Sequence, residues 1–204
     1  MAKPKVFLIG GAPGAGKSTL GRSLAARVDA TSLTADDLLT AAKAVTTPKS
    51  HPGLHVMTAV NSIEYFTTSS VGQLTADAAI QHEAAWPAIE KVIRKRAEWG
   101  PPIVIDGWFL RPKQVAELDD DCVISFWLVV DAAVLAERER RNVDFFGRSI
   151  NPEQMLQNFL GRSLWYNELI RDQATALGLN ILKQDGRASV EALCDIAMTQ
   201  VRDG

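Results

Sequence analysis

The sequence predicts an α/β fold built on a mainly parallel sheet. Three observations carry that expectation: apolar runs at Val6–Ile9, Ile103–Ile105 and Val123–Val130, helical patterns between them, and a glycine-rich turn joining the first run to the first helix. Short apolar runs bounded by polar or glycine positions read as strands buried on both faces. Strands that alternate with helices pair in parallel through crossovers.

Val6–Ile9, bounded by Lys5 and Gly10, predicts the first buried strand. Gly10–Gly16 is glycine-rich, and Lys17–Val28 then places Leu20, Leu24 and Val28 on one helical face. Ser32–Leu33 predicts a short second strand, and Asp36-Asp37 opens a helical pattern through Ala44. Pro48, Pro52 and Gly53 mark a loop over Thr46–Gly53. Helix is expected again over Leu54–Phe66, a polar gap over Thr67–Gly72, and a long helix over Ala76–Trp99 broken or kinked at Pro87. Gly100-Pro101-Pro102 stops it before the strand Ile103–Ile105, which ends at Asp106-Gly107. After Val123–Val130 come a charged helix over Asp131–Arg141 and a mobile loop over Asn142–Asn151. Pro152 suits the first position of the next helix with Asn151 as its cap; that helix runs to Leu177, and Gly178 ends it. A last strand, Leu179–Leu182, precedes Asp185-Gly186 and a final helix, Ser189–Val201. No repeat or linker divides the 204 residues, so one domain is expected over 1–204.

Composition narrows the function classes. With 47% apolar and 23% charged residues the chain has the balance of a globular protein, not a disordered one. Lys and Arg number 22 against 24 Asp and Glu, a net charge of −2, and the pI is near 5.9. That is not the basic footprint of a nucleic-acid binder. Cys122 and Cys194 are too few and too distant for a disulfide framework, so a reducing, cytoplasmic setting is the expectation. No apolar run approaches the roughly 20 residues that span a bilayer, and the apolar stretch behind Met1 is too short for a signal-peptide core.

The sharpest motif is Gly11-Ala12-Pro13-Gly14-Ala15-Gly16-Lys17-Ser18-Thr19, which satisfies G-x-x-x-x-G-K-[ST] with a strand before it and a helix after it. Glycines let successive backbone N–H groups converge on phosphate oxygens, and the helix N-terminus adds partial positive charge. Lys17 is positioned for the β- and γ-phosphates, the Ser18 hydroxyl for Mg²⁺, and Thr19 for the α-phosphate. No N-K-x-D guanine motif is present, nor a second long domain of the kind AAA machines carry. A small chain with this loop near its start reads as a small-molecule kinase.

The sequence resembles the P-loop small-molecule kinases of the nucleoside-monophosphate-kinase fold. It is most similar to the branch that holds 2-phosphoglycerate-kinase-like proteins, chloramphenicol phosphotransferases and zeta-toxin kinases. The loop at Gly11–Thr19, Thr34-Ala-Asp-Asp-Leu-Leu39, Ile103-Val-Ile-Asp-Gly-Trp-Phe-Leu110 and Leu135-Ala-Glu-Arg138 carry the resemblance, and Gln184–Val190 is similar to the family's base-binding loop, which brings in Gly186. The resemblance implies a three-layer P-loop NTPase fold: a five-stranded parallel sheet of order 2-3-1-4-5, helices on both faces and a small lid. It also implies ATP with Mg²⁺ as phosphoryl donor, an acceptor-binding helical region at 38–101 and a lid region at 138–165.

In such kinases an acidic residue just after the second strand faces the acceptor hydroxyl, and Asp36 stands at that place. A carboxylate there orients the hydroxyl and takes its proton. Asp37 points about 100° away on a helix, so the two do not share one task, though both are candidates for the substrate site. The competing reading is that Asp36 or Asp37 caps its helix, with Thr34 as a rival cap. Asp106 ends an apolar strand, where P-loop enzymes keep a metal-organising acid; the alternative is a turn aspartate before Gly107. Trp108, Phe109 and Arg111 follow, either lining an acceptor pocket or serving as core and surface.

Arg138, Arg140, Arg141 and Arg148 surround the expected lid, with Arg162 on the helix beyond. Guanidinium groups neutralise charge that spreads over a moving phosphoryl group. Arg138 resembles the family's arginine near the base, and Arg148 is the candidate for a closing lid arginine. The family's second arginine falls here on Asn142, and alternating Glu137, Glu139 and arginines also describe a solvated helix face. His51, His55 and His82 lack metal-ligand spacing. Trp86 and Trp99 are expected in the core, whereas Trp165-Tyr166 leans on a ligand or packs as core. Arg94-Lys-Arg96 is a short basic run that needs no partner. The expected activity is transfer of the γ-phosphoryl group of ATP to a hydroxyl of a small metabolite, nucleoside or antibiotic. An antibiotic-modifying role stays open through the match at Asp36 and Ile105-Asp-x-x-Phe-Leu110. The alternatives are an ATP-binding switch that transfers nothing and a polynucleotide kinase. Neither nucleic-acid nor membrane partners are expected, and monomer and homodimer stay open.

Overall fold

The computed structural model describes residues 4–57 and 61–203, so the amino-terminal flank at 1–3 and positions 58–60 of the expected 54–66 helix lie outside the described residues. Its centre is a five-stranded parallel sheet in which β1 (Val6–Gly11), β2 (Thr31–Thr34), β3 (Ile103–Gly107), β4 (Val123–Val130) and β5 (Asn180–Gln184) stand in the order β2-β3-β1-β4-β5. The three apolar runs of the sequence are the three central strands. Leu8, Ile9, Val104, Ile105, Phe126 and Trp127 are fully buried in them, each side chain contributing about 1.5–3 kcal/mol by leaving water.

Helices cover both faces. α1 (Lys17–Val28) packs on β3 and beside the last helix, while α2 (Ala35–Ala44) follows β2 and packs on β3 and the fourth helix. A 3₁₀ turn at Pro52–His55 and α3 (Ser62–Thr68) replace the expected 54–66 helix. α4 (Val71–Glu98) starts earlier than expected because Ser70 caps it, its hydroxyl accepting from Gln73 N at 3.1 Å. α4 also runs through Pro87 without a break. Pro87 lies on the exposed face beside exposed Glu83, where water can satisfy the carbonyl that loses its partner. Trp86 packs half-buried against the core, but Trp99 is 72% exposed at the carboxyl end of α4, contrary to its expected core place. α5 (Pro112–Ala116) is a short helix the sequence pattern did not announce.

α6 (Ala132–Arg140), α7 (Val143–Phe146), α8 (Pro152–Ala176) and α9 (Val190–Asp203) complete the chain. Asn151 caps α8 as expected, accepting from Gln154 N at 3.2 Å, and Gly178 ends it with φ +64°. Asn167 on α8 bonds both the amide and the carbonyl of Val130, at 2.9 and 3.0 Å, which ties that helix to the end of β4.

The expected mobile loop at Asn142–Asn151 contains the short helix α7 and is anchored at two points, Phe146 and Ser149, while most of its other residues are exposed. Phe146, Met155 and Leu156 form a second apolar cluster with Tyr65, Phe66 and Leu74. Ser149 and Thr67 hydroxyls meet at 2.7 Å, which fastens the turn after α7 to α3. Phenyl groups at Phe145 and Phe146 supply apolar area that a solvated loop would waste.

Candidate active site

Register brings the site together. In β3, Asp106 is paired with Ile9 of β1 on one side and Thr34 of β2 on the other. The loop that follows β1, the acid at the end of β3 and the residues just after β2 therefore share one carboxyl edge of the sheet, the edge where parallel sheets gather ligands.

The loop between β1 and α1 turns through Gly14 at φ +81° and Gly16 at φ +104°, conformations that suit glycine alone. A Cβ on Gly14 would also sit 2.1 Å from Glu139 Oε1, so α6 closes directly on the loop. Lys17 is 9% exposed and donates to the Ala12 carbonyl at 3.0 Å. Burial lowers its ammonium from an ordinary 10.5 to about 8, against the opposing pull of Asp106 and Asp36. Ser18 Oγ donates to Asp106 Oδ1 at 2.7 Å. Burial raises the Asp106 carboxyl, and the Ser18 bond and Lys17 oppose that rise.

Hydroxyl and carboxylate oxygens side by side under a phosphate loop are the hard donors that Mg²⁺ takes, with phosphates and water completing its shell. Among the described residues no group of three or more His, Cys, Asp and Glu gathers to hold a metal. The Ser18 hydroxyl and the Asp106 carboxylate fit an ion of this kind as two of its oxygen donors.

Two cavities flank the loop. One, of about 300 Å³, is bordered by Gly14, Ala15, Gly16, Thr19, Arg138 and Gln184. Arg138 Nη1 donates to the Ala15 carbonyl at 2.9 Å. Gly186 lies in the exposed turn after β5 with φ +84°, its N–H bonded to the Gln184 side chain at 2.9 Å, so it borders this flank through Gln184. The other, of about 390 Å³, is lined by Pro13, Lys17, Asp36, Lys43, Phe66 and Arg162, together with Trp108 and Phe109 of the β3–α5 turn.

The capping ambiguity is resolved: Thr34 is the N-cap of α2, its hydroxyl accepting from Asp36 N at 3.4 Å, and that hydroxyl also donates to Asp36 Oδ2 at 3.2 Å. Asp36 is therefore oriented by the cap and faces the second cavity. Asp37 is exposed and lies outside that cavity's lining, as the turn between neighbouring helical positions demands.

Two further candidates are displaced. Arg111 is half-buried and donates from Nε to His82 Nδ1 at 3.1 Å, with its guanidinium 5.5 Å from the Trp165 ring. It braces the aromatic group of His82, Trp108 and Tyr166 and does not line the cavity. Burial and the nearby arginines keep the His82 imidazole well below its ordinary range, hence neutral. Arg148 is exposed and lines a separate cleft with Glu64, Thr67 and Ile150. The Ser149–Thr67 bond turns this segment toward α3 and away from the loop. Arg140 and Arg141 are exposed, the latter paired with Glu137, which is the solvated-face reading.

The sequence singled out Arg162 only in passing, set Glu139 on a solvated helix face although it is buried, and gave no mark to Lys43 or Phe66. Arg162 is 4% exposed on α8, with its guanidinium carbon 4.4 Å from the ring centroids of both Phe66 and Trp108. Burial lowers it to about 10. Its signal was positional: it falls on the buried stripe of α8, seven residues after Met155 and four before Tyr166, where an apolar residue is expected. Glu139 is buried on α6, its carboxyl raised by that burial.

The fold recurs in solved kinases of the same size. A shikimate kinase from Bacteroides thetaiotaomicron superposes with a TM-score of 0.56 at 17% identity, over 97% of this chain and 98% of its own. A gluconokinase from Sinorhizobium meliloti gives 0.57 at 14%, over 100% and 94%. A sugar kinase from Janibacter gives 0.57 at 16%, over 98% and 95%. At these identities the likeness is one of fold. No curated protein sequence matches the chain. A family described as AAA domain matches residues 6–144, from the first strand through the loop, both site carboxylates and α6. The chain belongs to that AAA-domain family.

Proposed function

We propose that the protein is an ATP-dependent phosphotransferase that moves the γ-phosphoryl group onto a hydroxyl of a small molecule. One observation carries the reading: Lys17, the phosphate-loop cation, and Asp36, a carboxylate fixed by its own helix cap, line the same cavity. Phosphoryl transfer needs a cation at the moving group and a carboxylate at the incoming hydroxyl, and needs them within one substrate's length. The structural neighbours named as shikimate, gluconate and sugar kinases support this reading by the fold they share.

In this reading the nucleotide lies along Gly11–Thr19 with its base side toward Arg138 and Gln184. The acceptor enters from the side of Lys43 and Phe66, in the region at 38–101 joined by Trp108 and Arg162. Asp36 accepts the hydroxyl proton as the acceptor oxygen bonds to the γ-phosphorus. The bond from that phosphorus to the β-phosphate bridging oxygen breaks, and the nucleoside diphosphate leaves with the electron pair. Lys17 balances charge on the transferring oxygens, and Arg138 steadies the loop through Ala15. Mg²⁺ held by Ser18 and Asp106 would supply further neutralisation of the phosphates. Exclusion of water, which protects ATP from hydrolysis, falls to the parts of the region 138–165 that border the two cavities, Arg138 and Arg162. The resemblance to 2-phosphoglycerate-kinase-like proteins, chloramphenicol phosphotransferases and zeta-toxin kinases belongs to this proposal, as does the antibiotic acceptor it keeps open.

The test is diphosphate release from ATP with Mg²⁺ over a panel of hydroxyl compounds, with phosphorylated product identified by mass. Wild-type protein is expected to form product with at least one panel member, and Lys17→Ala to lose about 10³-fold of that rate. ATP binding by wild type with no product from any hydroxyl compound sinks the reading in favour of a switch.

A further inference from the structure

The acceptor cavity holds a charge that the transfer chemistry does not use. Arg162 is almost wholly buried, its Nε has no hydrogen-bond partner, and among the described residues no carboxylate forms an ion pair with it. Phe66 and Trp108 stack on it at 4.4 Å each. Aromatic stacking offsets part of the loss of hydration but does not cancel a buried positive charge. The guanidinium is planar, so rings against its faces leave the N–H donors in its own plane, where an oxyanion can take two of them at once.

The charge balance of the cavity points the same way. Its lining carries Lys17, Lys43 and Arg162 against Asp36, three cations to one anion. A triphosphate engages Lys17, and Asp36 is committed to the hydroxyl. Arg162 and Lys43 are then the two cations of the lining left unmatched. Phe66, Met57 and Phe109 supply apolar wall in the same cavity, which suits a carbon skeleton joining an anionic end to a hydroxyl end. A volume of about 390 Å³ lies near the small end of ligand pockets and fits a metabolite, not a macromolecule.

We infer that the acceptor is a small hydroxyl compound bearing an oxyanion, a carboxylate or phosphate group, which docks on Arg162 with Lys43 as the second cation while its hydroxyl faces Asp36. This rests on the phosphotransfer reading for the hydroxyl, but not for the anion.

The experiment has two arms. In the first, a non-hydrolysable ATP analogue with Mg²⁺ fills the phosphate loop. Benzoate, 4-hydroxybenzoate and inorganic phosphate are then titrated by calorimetry into wild type, Arg162→Gln, Arg162→Lys and Lys43→Gln. Saturable binding of at least one anion to wild type is expected, weakened about 100-fold in Arg162→Gln, less in Arg162→Lys, and several-fold in Lys43→Gln. Lys43 is a half-exposed helix residue, so its variant keeps the test open if the buried arginine proves necessary for folding. No saturable binding of any anion to wild type overturns the inference, as does binding that neither Arg162→Gln nor Lys43→Gln weakens.

In the second arm, matched sets of hydroxy acids, their hydroxy phosphate counterparts and their neutral amides or alcohols are offered with ATP. Turnover of an acidic member at least tenfold above its neutral partner supports the inference, and the preferred member tells carboxylate from phosphate. Turnover of neutral partners as fast as the acids overturns the acidic class and leaves phosphotransfer standing. Anion binding that depends on Arg162 without product from any compound supports the anion site and fails the phosphotransfer reading.

Discussion

The two flanks of the phosphate loop are built in different ways. The flank assigned to the nucleotide takes half of its lining from one continuous stretch, Gly14–Leu20, and the rest from Leu128 of β4, Arg138 of α6, Gln184 of β5 and Val190 and Leu193 of α9. The flank assigned to the acceptor takes three residues from α2 and one or two each from the loop, the start of α1, the segment after the 3₁₀ turn, α3, α4, the β3–α5 turn and α8. A contiguous site is fixed by local backbone geometry and changes only with its motif. A dispersed site is fixed by how helices pack, so each of its residues can change alone. In the proposed function, a common donor served by the first and a private acceptor served by the second is the division of labour that this construction allows.

The sharpest way to break that comparison is at Asp36, which is assigned to the acceptor flank yet lines the same cavity as Lys17. Asp36→Asn is expected to lower kcat by about 10³-fold, within the range for loss of a positioned proton acceptor, while the Kd for ATP stays within about twofold. Steady-state rates together with equilibrium binding of an ATP analogue check both halves. Equal loss in binding and rate would move Asp36 onto the nucleotide side.

How much of this was legible in the sequence follows the same division. The loop, the three central strands and Asp106 could be read because each is specified by neighbours in the chain: glycines at a turn, apolar runs, an acid at a strand end. Asp36 was readable through the match of its surrounding residues to a family, and Thr34 emerged as the cap only when its hydroxyl was seen bonded to Asp36 N. Arg148 was misplaced because nothing local says that Ser149 bonds Thr67, 82 residues away. Arg162 and Phe66 meet across a similar distance in the chain, and their pairing is a product of helix packing. The Asn142–Asn151 segment read as a mobile loop from its polar and aromatic residues, but Phe146 anchors it in the second apolar cluster with Phe145 packed beside it.

A smaller effect is expected on the donor side at Ser18. Ser18→Ala removes the hydroxyl that donates to Asp106 and, in the proposed function, one of the two oxygens that would hold Mg²⁺. The Mg²⁺ concentration for half-maximal rate should rise on the order of 10–100-fold, with the acceptor KM unchanged. A magnesium titration at saturating ATP measures it, and an unchanged requirement would remove Ser18 and Asp106 from metal binding.

The Lys17 ammonium gives the donor flank a pH signature. Its value in the folded protein, about 8, lies below the ordinary 10.5 because burial disfavours the charge. The unfolded chain therefore binds more protons between those limits, and this group's contribution to the stability of the nucleotide-free protein rises with pH through that window and is lost as pH falls through about 8. Binding runs the other way, since a triphosphate needs the protonated form. ATP affinity is expected to fall as pH rises above about 8, by at most about tenfold per unit for a single proton. Calorimetric titration from pH 7 to 9.5, with Lys17→Ala showing no such slope, checks it.

The mildest test asks whether the acceptor flank can be disturbed without touching the loop. Gly107 ends β3 where α2 begins across the sheet edge, and a Cβ there would lie 2.5 Å from the Ala35 Cβ. Two backbones that approach this closely leave no room for a methyl group, so Gly107→Ala must push the first turn of α2 outward, carrying Asp36 with it. Overpacking of this kind costs about 1–3 kcal/mol, visible as an earlier urea midpoint. Displacement of Asp36 should raise the acceptor KM or lower kcat about 3–10-fold, because transfer is sensitive to sub-ångström placement of the proton acceptor. ATP affinity should stay within twofold, since Gly11–Thr19 is anchored to β1 and α1 and not to α2. Equal damage to ATP binding would mean that the loop and α2 move as one body, and the two flanks would then be a single site.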